Sequence, residues 1–127
     1  MHSLFSGCIK LSELNLNNFK TSKVKNMDEM LYYCYSPKSI YLSSFDTLEV
    51  LNMKRMLDFC ISLENINLSN FDISKVTDMS FMFAGCSGLI SLDLINFNTE
   101  NVINLQNIFS GEHSLVNVDL SSFNTNN

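Results

Sequence analysis

The stretch NFDISKVTDMSFMFAGCSGL, residues 70–89, places three phenylalanines, two methionines and one cysteine among mostly polar residues. Its cysteine belongs to a series with a 26-residue period: Cys8, Cys34, Cys60 and Cys86. A second series keeps the same step: Phe19, Phe45, Phe71, Phe97 and Phe123. A fixed period of roughly 20 to 50 residues is typical of stacked repeats. The sequence therefore has to be interpreted in repeats of this length.

The size and composition of the chain indicate one domain. Its 127 residues fall within the usual range of a single domain, and 46% of them are hydrophobic, which is ordinary for a chain with a packed core. Pro37 is the only proline, and the four glycines do not cluster into a flexible linker. We therefore predict a single domain over residues 1–127.

The charges are unevenly distributed, although the net charge of −5 is mild. All eight lysines and arginines lie at or before Lys75, and the five acidic residues that follow it have no basic residue among them. A nucleic-acid partner requires a basic surface, so this distribution argues against one. The N-terminal residues lack the pattern of a signal peptide, and no segment approaches the roughly 20 apolar residues of a membrane span. The residues themselves leave the location of the protein undetermined.

Each repeat contains apolar residues two positions apart. In the third repeat, Ile66 and Leu68 flank the polar Asn67, which is the alternation of a strand with one buried face. The motif reads approximately L-x-x-L-x-L-x-x-F, and Ile or Val can stand at its second apolar position. It predicts one short strand in each of five segments: residues 11–19, 37–45, 63–71, 89–97 and 115–123.

The segment after each strand motif has a different spacing. In residues 73–83 the apolar residues Val76, Met79, Met82 and Phe83 recur at intervals that line one face of a helix. Ser74 lies where a helix N-cap is expected. We therefore predict an α/β solenoid of about five units, each a strand followed by a helical turn, in which the methionines and cysteines form internal columns.

These motifs together resemble the leucine-rich repeats of the BspA-like surface proteins, in the variant whose units read like LDLSxFDTSxVTDMSxMFxGCxSL. The match is best in residues 63–94 and extends over nearly the whole chain. The resemblance implies a leucine-rich-repeat solenoid with a parallel sheet on its concave face. It also implies a cell-surface or secreted protein that binds host or matrix components.

Two segments depart from the pattern of that group, and both are candidates for a contact site or a local irregularity. The second repeat has Pro37 in place of leucine and a cluster of three tyrosines: Tyr32, Tyr33 and Tyr35. The last repeat has Glu112 where a cysteine is due, followed by His113.

The chain offers no clear catalytic or metal-binding motif. Structural zinc sites typically use cysteine pairs separated by two to four residues, whereas these cysteines are a full repeat apart. Stacked neighbours fall within the Cα separation of a disulfide, but buried free thiols are the simpler prediction. His2 and His113 have no evident catalytic partner. We therefore predict a protein that is not an enzyme and needs no cofactor.

The outward side of the strands is the candidate binding surface. We predict that Tyr41, Asn67, Asp93 and Asp119 contribute to binding, because a repeat stack usually binds its partners on such an extended surface. Asp93 and Asp119, together with Asn67, are also a candidate calcium site, although calcium needs 6–8 oxygen ligands. The strand alternation turns the following residues outward: Glu13, Asn15, Asn17, Ser39, Tyr41, Ser43, Asn65, Asn67, Ser69, Ser91, Asp93, Ile95, Asn117, Asp119 and Ser121.

Two functions remain open from the sequence. The first is a non-catalytic, adhesin-like binding module that presents its polar concave face to a protein or glycan. The second is a structural element that associates end to end, because neither terminus shows an obvious cap and Leu4 and Phe123 would lie near exposed edges. A substitution on the face or at an end distinguishes the two hypotheses.

Overall fold

The computed structural model describes residues 1–124, in which the successive repeats, here called coils, are stacked on one another. Each coil contributes one short strand: β1 (Glu13–Asn15), β2 (Ser39–Tyr41), β3 (Asn65–Ile66), β4 (Ser91–Asp93) and β5 (Asn117–Asp119). The strands form two parallel sheets, β1-β2-β3 and β4-β5, whereas the resemblance implied one parallel sheet on a concave face.

The coils stack in a register of one repeat. Leu14 of β1 is the Cα partner of Ile40 in β2, and Leu92 of β4 is the partner of Val118 in β5. The central side chain of β1, β2 and β4 is buried and its neighbours are more exposed, as the alternation of a one-sided strand requires. Three isolated parallel bridges join the coils along a second line: Asn26 to Asn52, Asn52 to Asp78 and Asp78 to Asn104.

The predicted helical turns are wrong, because residues 1–124 contain no helix. Residues 79–86 form consecutive turns, in which the Met82 N–H donates to Met79 O and the Ala84 N–H donates to Phe81 O, both at 3.1 Å. The intervening N–H groups of Met79 and Phe81 donate to carbonyl oxygens of the next coil, both at 2.9 Å. The predicted α/β leucine-rich-repeat solenoid is therefore not the fold of this chain.

The backbone conformation explains why a helix cannot form. Glu29, Arg55 and Phe81 occupy the same position in successive coils, with φ values of 54°, 53° and 59°. A residue in this left-handed region ends a right-handed helix. Consecutive turns reproduce the apolar spacing of a helix face, and Val76, Met79, Met82 and Phe83 are all completely buried.

The core consists of side-chain columns that run through the stack. Met27, Met53 and Met79 form one fully buried column. The cysteines are free, and all but the half-buried Cys8 are completely buried. The Sγ–H of Cys60 donates to Leu31 O at 3.3 Å and that of Cys86 to Leu57 O at 3.1 Å, so the thiols also link neighbouring coils.

Threonine hydroxyls form a further link between coils. Thr47 Oγ1 donates to Asp72 O and accepts from the Asp72 N–H, both at 2.8 Å. Thr21 makes the same pair of bonds to Asp46. Ile73 occupies the equivalent position of the third coil and lacks the hydroxyl, so the threonine links do not extend to every coil. Within residues 1–124, no helix has the length and hydropathy needed to cross a membrane.

Candidate functional site

The predicted strand-face residues lie at one position of four successive coils. Tyr41 ends β2, Asn67 directly follows β3, and Asp93 and Asp119 end β4 and β5. Asp93 and Asp119 are Cα partners across the β4-β5 pair. All four residues are exposed, so the structure places them in one row on the outside of the strands.

Three of these residues have a structural role in the turn after their strand. Asn67 Oδ1 accepts the Ser69 N–H at 2.9 Å, Asp93 Oδ1 accepts the Ile95 N–H at 3.0 Å, and Asp119 Oδ1 accepts the Ser121 N–H at 2.9 Å. Such bonds from an Asn or Asp to the amide two residues on stabilise turns. The hydrogen bonds from Ser121 also lower the pKa of Asp119. Part of the polar row therefore serves the fold.

Tyr41 is the exception in this row, because its side chain cannot make that bond. The Ser43 N–H donates instead to Asn17 Oδ1 of the preceding coil at 2.9 Å, and the Ser43 hydroxyl contacts the same oxygen at 2.9 Å. Tyr41 is 43% exposed and borders a groove of about 370 Å³ that also contacts Asn67. Tyr41 therefore does not stabilise the turn after its strand, as its column neighbours do.

Within the described residues, no third His, Cys, Asp or Glu joins Asp93 and Asp119. The part of the chain that the structure describes contains no group of three or more His, Cys, Asp or Glu residues able to hold a metal ion. Asp93 and Asp119 each use one oxygen in a turn. Burial raises the pKa of the Cys34 thiol to about 12, which disfavours the thiolate needed for metal binding or nucleophilic attack.

A second groove, of about 530 Å³, lies on the consecutive turns and shares no lining residue with the Tyr41 groove. Its volume falls within the range of small-molecule sites. We call it the aromatic groove, after the side chains that dominate it. Its aromatic and ionisable lining residues include Tyr33, Arg55, Asp58, Phe59, Phe81 and His113.

Aromatic rings occupy positions of the aromatic groove at which the other coils have glycine. Tyr33 and Phe59 are equivalent to Gly7, Gly85 and Gly111, and all five residues have positive φ. The values of 58° for Tyr33 and 61° for Phe59 are unfavourable for bulky side chains. The two rings stack with centroids 4.9 Å apart and an interplanar angle of 8°. Their stacking offsets part of the backbone strain.

A partly exposed cation and a buried anion lie beside these rings. The Arg55 guanidinium lies 5.0 Å from the Phe81 ring centroid and 5.8 Å from that of Tyr32. Arg55 Nε is 3.8 Å from Asp58 Oδ2, which is too long for a hydrogen bond. Asp58 is only 2% exposed, and its Oδ1 has no hydrogen-bond partner. Burial raises the pKa of Asp58 to about 6, although Arg55 opposes the shift.

Only the margins of this groove were predicted from the sequence. The tyrosine cluster and the Glu112-His113 pair were candidate contact sites, and both Tyr33 and His113 line the groove. Glu112 takes the next position in the cysteine column, where burial raises its pKa to about 7. Phe59 was missed, although aligning it with Gly85 and Gly111 reveals a bulky residue at a glycine position.

Comparison with known proteins corrects the predicted relationship. No curated protein and no solved structure matches the chain. The predicted membership of the BspA-like leucine-rich-repeat group is wrong, because the family model that matches is a different one. That prediction rested on the spacing of the apolar residues, and this stack of coils has the same spacing without helices. The matching model covers residues 1–115, and the chain therefore belongs to the family described as Mycoplasma protein of unknown function, DUF285.

Proposed function

We propose that this protein is a non-catalytic binding module that uses the strand face around Tyr41 to hold a protein segment or a glycan. The observation that carries the proposal is that Tyr41 does not form the turn hydrogen bond of its column neighbours. Asn17 Oδ1 accepts the Ser43 N–H in its place. A tyrosine side chain combines a large apolar surface with a polar tip, which suits an interface anchor. The surface and adhesin roles came only from the corrected resemblance and are not part of this proposal.

The groove beside Tyr41 has the character of a binding surface. It combines the exposed ring of Tyr41 with Ile40 and Ile66 and with the polar side chains of Asn65 and Asn67. A mixed surface of this kind supports stacking and hydrogen bonding together. The turn-forming residues on either side hold the backbone in place, so a partner meets a preorganised surface.

The test uses Tyr41→Asn, which introduces the residue found at the equivalent positions 15 and 67. The native protein is screened against a phage-displayed peptide library and a glycan array, and each ligand is then measured with the variant. We expect at least one ligand whose affinity falls about tenfold or more in Tyr41→Asn while the melting temperature is retained. The absence of any ligand in both screens, or unchanged binding by the variant, would contradict the proposal.

End-to-end association is the second candidate function, and exposed apolar side chains favour it. Leu4 and Leu11 of the first coils are 53% and 46% exposed, and Val116 and Leu120 of the last coil are 75% and 40% exposed. Contact between such surfaces of two copies would remove them from water. Light scattering at several concentrations, with Phe123→Lys as the end variant and Tyr41→Asn as the face control, tests this function. A monomer at every concentration would rule it out.

A further inference from the structure

We propose that the aromatic groove is a second, separate binding site that takes one neutral hexose unit, with the sugar ring stacked against Phe59. This inference does not depend on Tyr41, because the two grooves have no lining residue in common. It rests on the ring stack, on the glycine positions beside it and on the polar groups that the fold leaves unpaired there.

The ring stack ends at Gly85. The Tyr33 ring stacks on Phe59, and three Phe59 ring atoms lie 2.9–3.3 Å from the position that a Gly85 Cβ would take. The glycine lets the Phe59 ring pack against backbone, and no further ring follows. A Gly111 Cβ would meet only Gly85 backbone atoms, at 3.6 Å, so the floor of the groove is bare main chain. A sugar ring that lies on this floor would contact the exposed part of the Phe59 ring.

The two rings interrupt a column in which the other three coils have glycine. The fold favours glycine at this column position, where a side chain in the left-handed region costs about 1–2 kcal/mol. Two of the five coils nevertheless have a large ring there, and Phe59 is 40% exposed. Strained positions of this kind concentrate at binding sites.

Unpaired polar groups surround the ring and favour a ligand with several hydroxyl groups. Asp58 Oδ1 and Arg55 Nε are buried without hydrogen-bond partners. Ser87, Ser110 and His113 also line the groove, and they offer two hydroxyls and an imidazole ring to a ligand. A buried polar atom without a partner is costly. Rotation of the Asp58 side chain toward the groove would let a ligand hydroxyl pair with it and remove that cost.

The charges favour a neutral sugar over a phosphorylated or acidic ligand. Arg55 is the one Lys or Arg among the groove-lining residues, and Asp58 offsets it within the same groove. Glu29 adds a further negative charge near Asp58. The C–H groups on one face of a hexose carry a slight positive charge and suit the negative face of an aromatic ring. A hexose therefore satisfies the ring, the floor and the unpaired polar groups together.

The experiment is saturation-transfer NMR on the full chain with glucose, galactose, mannose and N-acetylglucosamine, together with their methyl glycosides. We expect at least one of these sugars to bind with a dissociation constant of about 1 mM or lower. Equal binding of the methyl glycoside identifies the ligand as the end of a glycan, whereas its rejection identifies a free monosaccharide. Failure of all the sugars to bind would overturn the proposal.

Variants locate the site and separate binding from folding. Phe59→Gly introduces the residue of the other coils, and Phe59→Leu keeps an apolar side chain but removes the ring face. We expect both to weaken sugar binding about tenfold. Thr77→Val, at an exposed residue that lines neither groove, should leave sugar binding unchanged. Unchanged binding by Phe59→Leu would refute the location. Stronger binding of N-acetylphenylalaninamide than of every sugar would refute the ligand class, since the groove would then be a site for an aromatic side chain.

Discussion

Replacing Thr47 by Val should destabilise the stack by about 2 kcal/mol without creating a cavity. The side chain is buried, and its hydroxyl makes two hydrogen bonds to the backbone of Asp72, both at 2.8 Å. A protein hydrogen bond contributes about 1 kcal/mol net, so the loss of both gives the expected magnitude. Valine has nearly the same shape as threonine, and packing therefore contributes little to the difference.

Urea unfolding followed by circular dichroism measures this difference, and Thr77→Val is the matched control. Thr77 makes one such bond, to Leu51 O at 3.2 Å, from an exposed position where water can replace it. We expect this control to lose less than about 0.5 kcal/mol, which is usual for a surface substitution. Equal losses in the two variants, or a Thr47→Val loss below about 0.5 kcal/mol, would show that the threonine bonds do not hold the coils together.

Three further predictions follow from the core and the aromatic groove. Met79→Asp should abolish cooperative thermal unfolding, because it buries an unpaired charge at a fully buried site. Phe59→Gly should change the free energy of urea unfolding by less than about 1 kcal/mol, since relief of backbone strain offsets the lost stacking. Raising the pH from about 5 to about 8 should lower the urea midpoint, because the folded-state pKa values of Asp58 and Glu112, about 6 and about 7, lie above the unfolded ones. The Asp58→Asn/Glu112→Gln double variant should lose most of this pH dependence, and an unchanged slope would contradict the assignment.

The sign of the pH effect follows from proton uptake on folding. Between the unfolded and folded pKa values of a raised carboxyl, the folded chain holds a proton that the unfolded chain has lost, so the stabilising contribution is complete at low pH and disappears as the pH rises through 6 to 7. One such proton gives a limiting slope of about 1.4 kcal/mol per pH unit. Carboxyls with a lowered pKa, such as Glu49 and Asp72, act in the opposite direction only below about pH 4.5.

The constant period of the cysteines and phenylalanines was sufficient to predict which residues stack on one another. The pairing of Leu14 with Ile40 follows from it, because equivalent residues occupy equivalent positions in successive coils. The helical turn could not be predicted correctly, since apolar intervals of three and four residues fit both a helix face and consecutive turns. The deciding feature is the positive φ of Glu29, Arg55 and Phe81, and none of these residue types favours that conformation.

The candidate sites were predictable to different degrees. Strand alternation was enough to place Tyr41 and its column neighbours on one face, but it did not show that Asn67 and Asp93 hold turns. The aromatic groove could not be predicted in this way, because its lining side chains come from several coils. The positive φ of Tyr33 and Phe59 also determines the direction of their rings. Tyr33 and Phe59 could have been recognised from the aligned glycines, whereas the contact of Arg55 with Asp58 required coordinates.

A repeated stack separates structural residues from functional ones, because a side chain needed by the fold recurs in its column. Tyr41 and Phe59 both interrupt such columns, and in each case a neighbouring coil compensates: Asn17 supplies the acceptor beside Tyr41, and the Tyr33 ring stacks on Phe59. Restoring the residue of the column should therefore remove binding and leave the stability nearly unchanged. A substitution at a structural residue, such as Thr47→Val, should instead lower the stability and leave binding unchanged. If Tyr41→Asn and Phe59→Gly instead destabilise the chain as much as Thr47→Val does, the two aromatic residues belong to the fold and both binding proposals lose their basis.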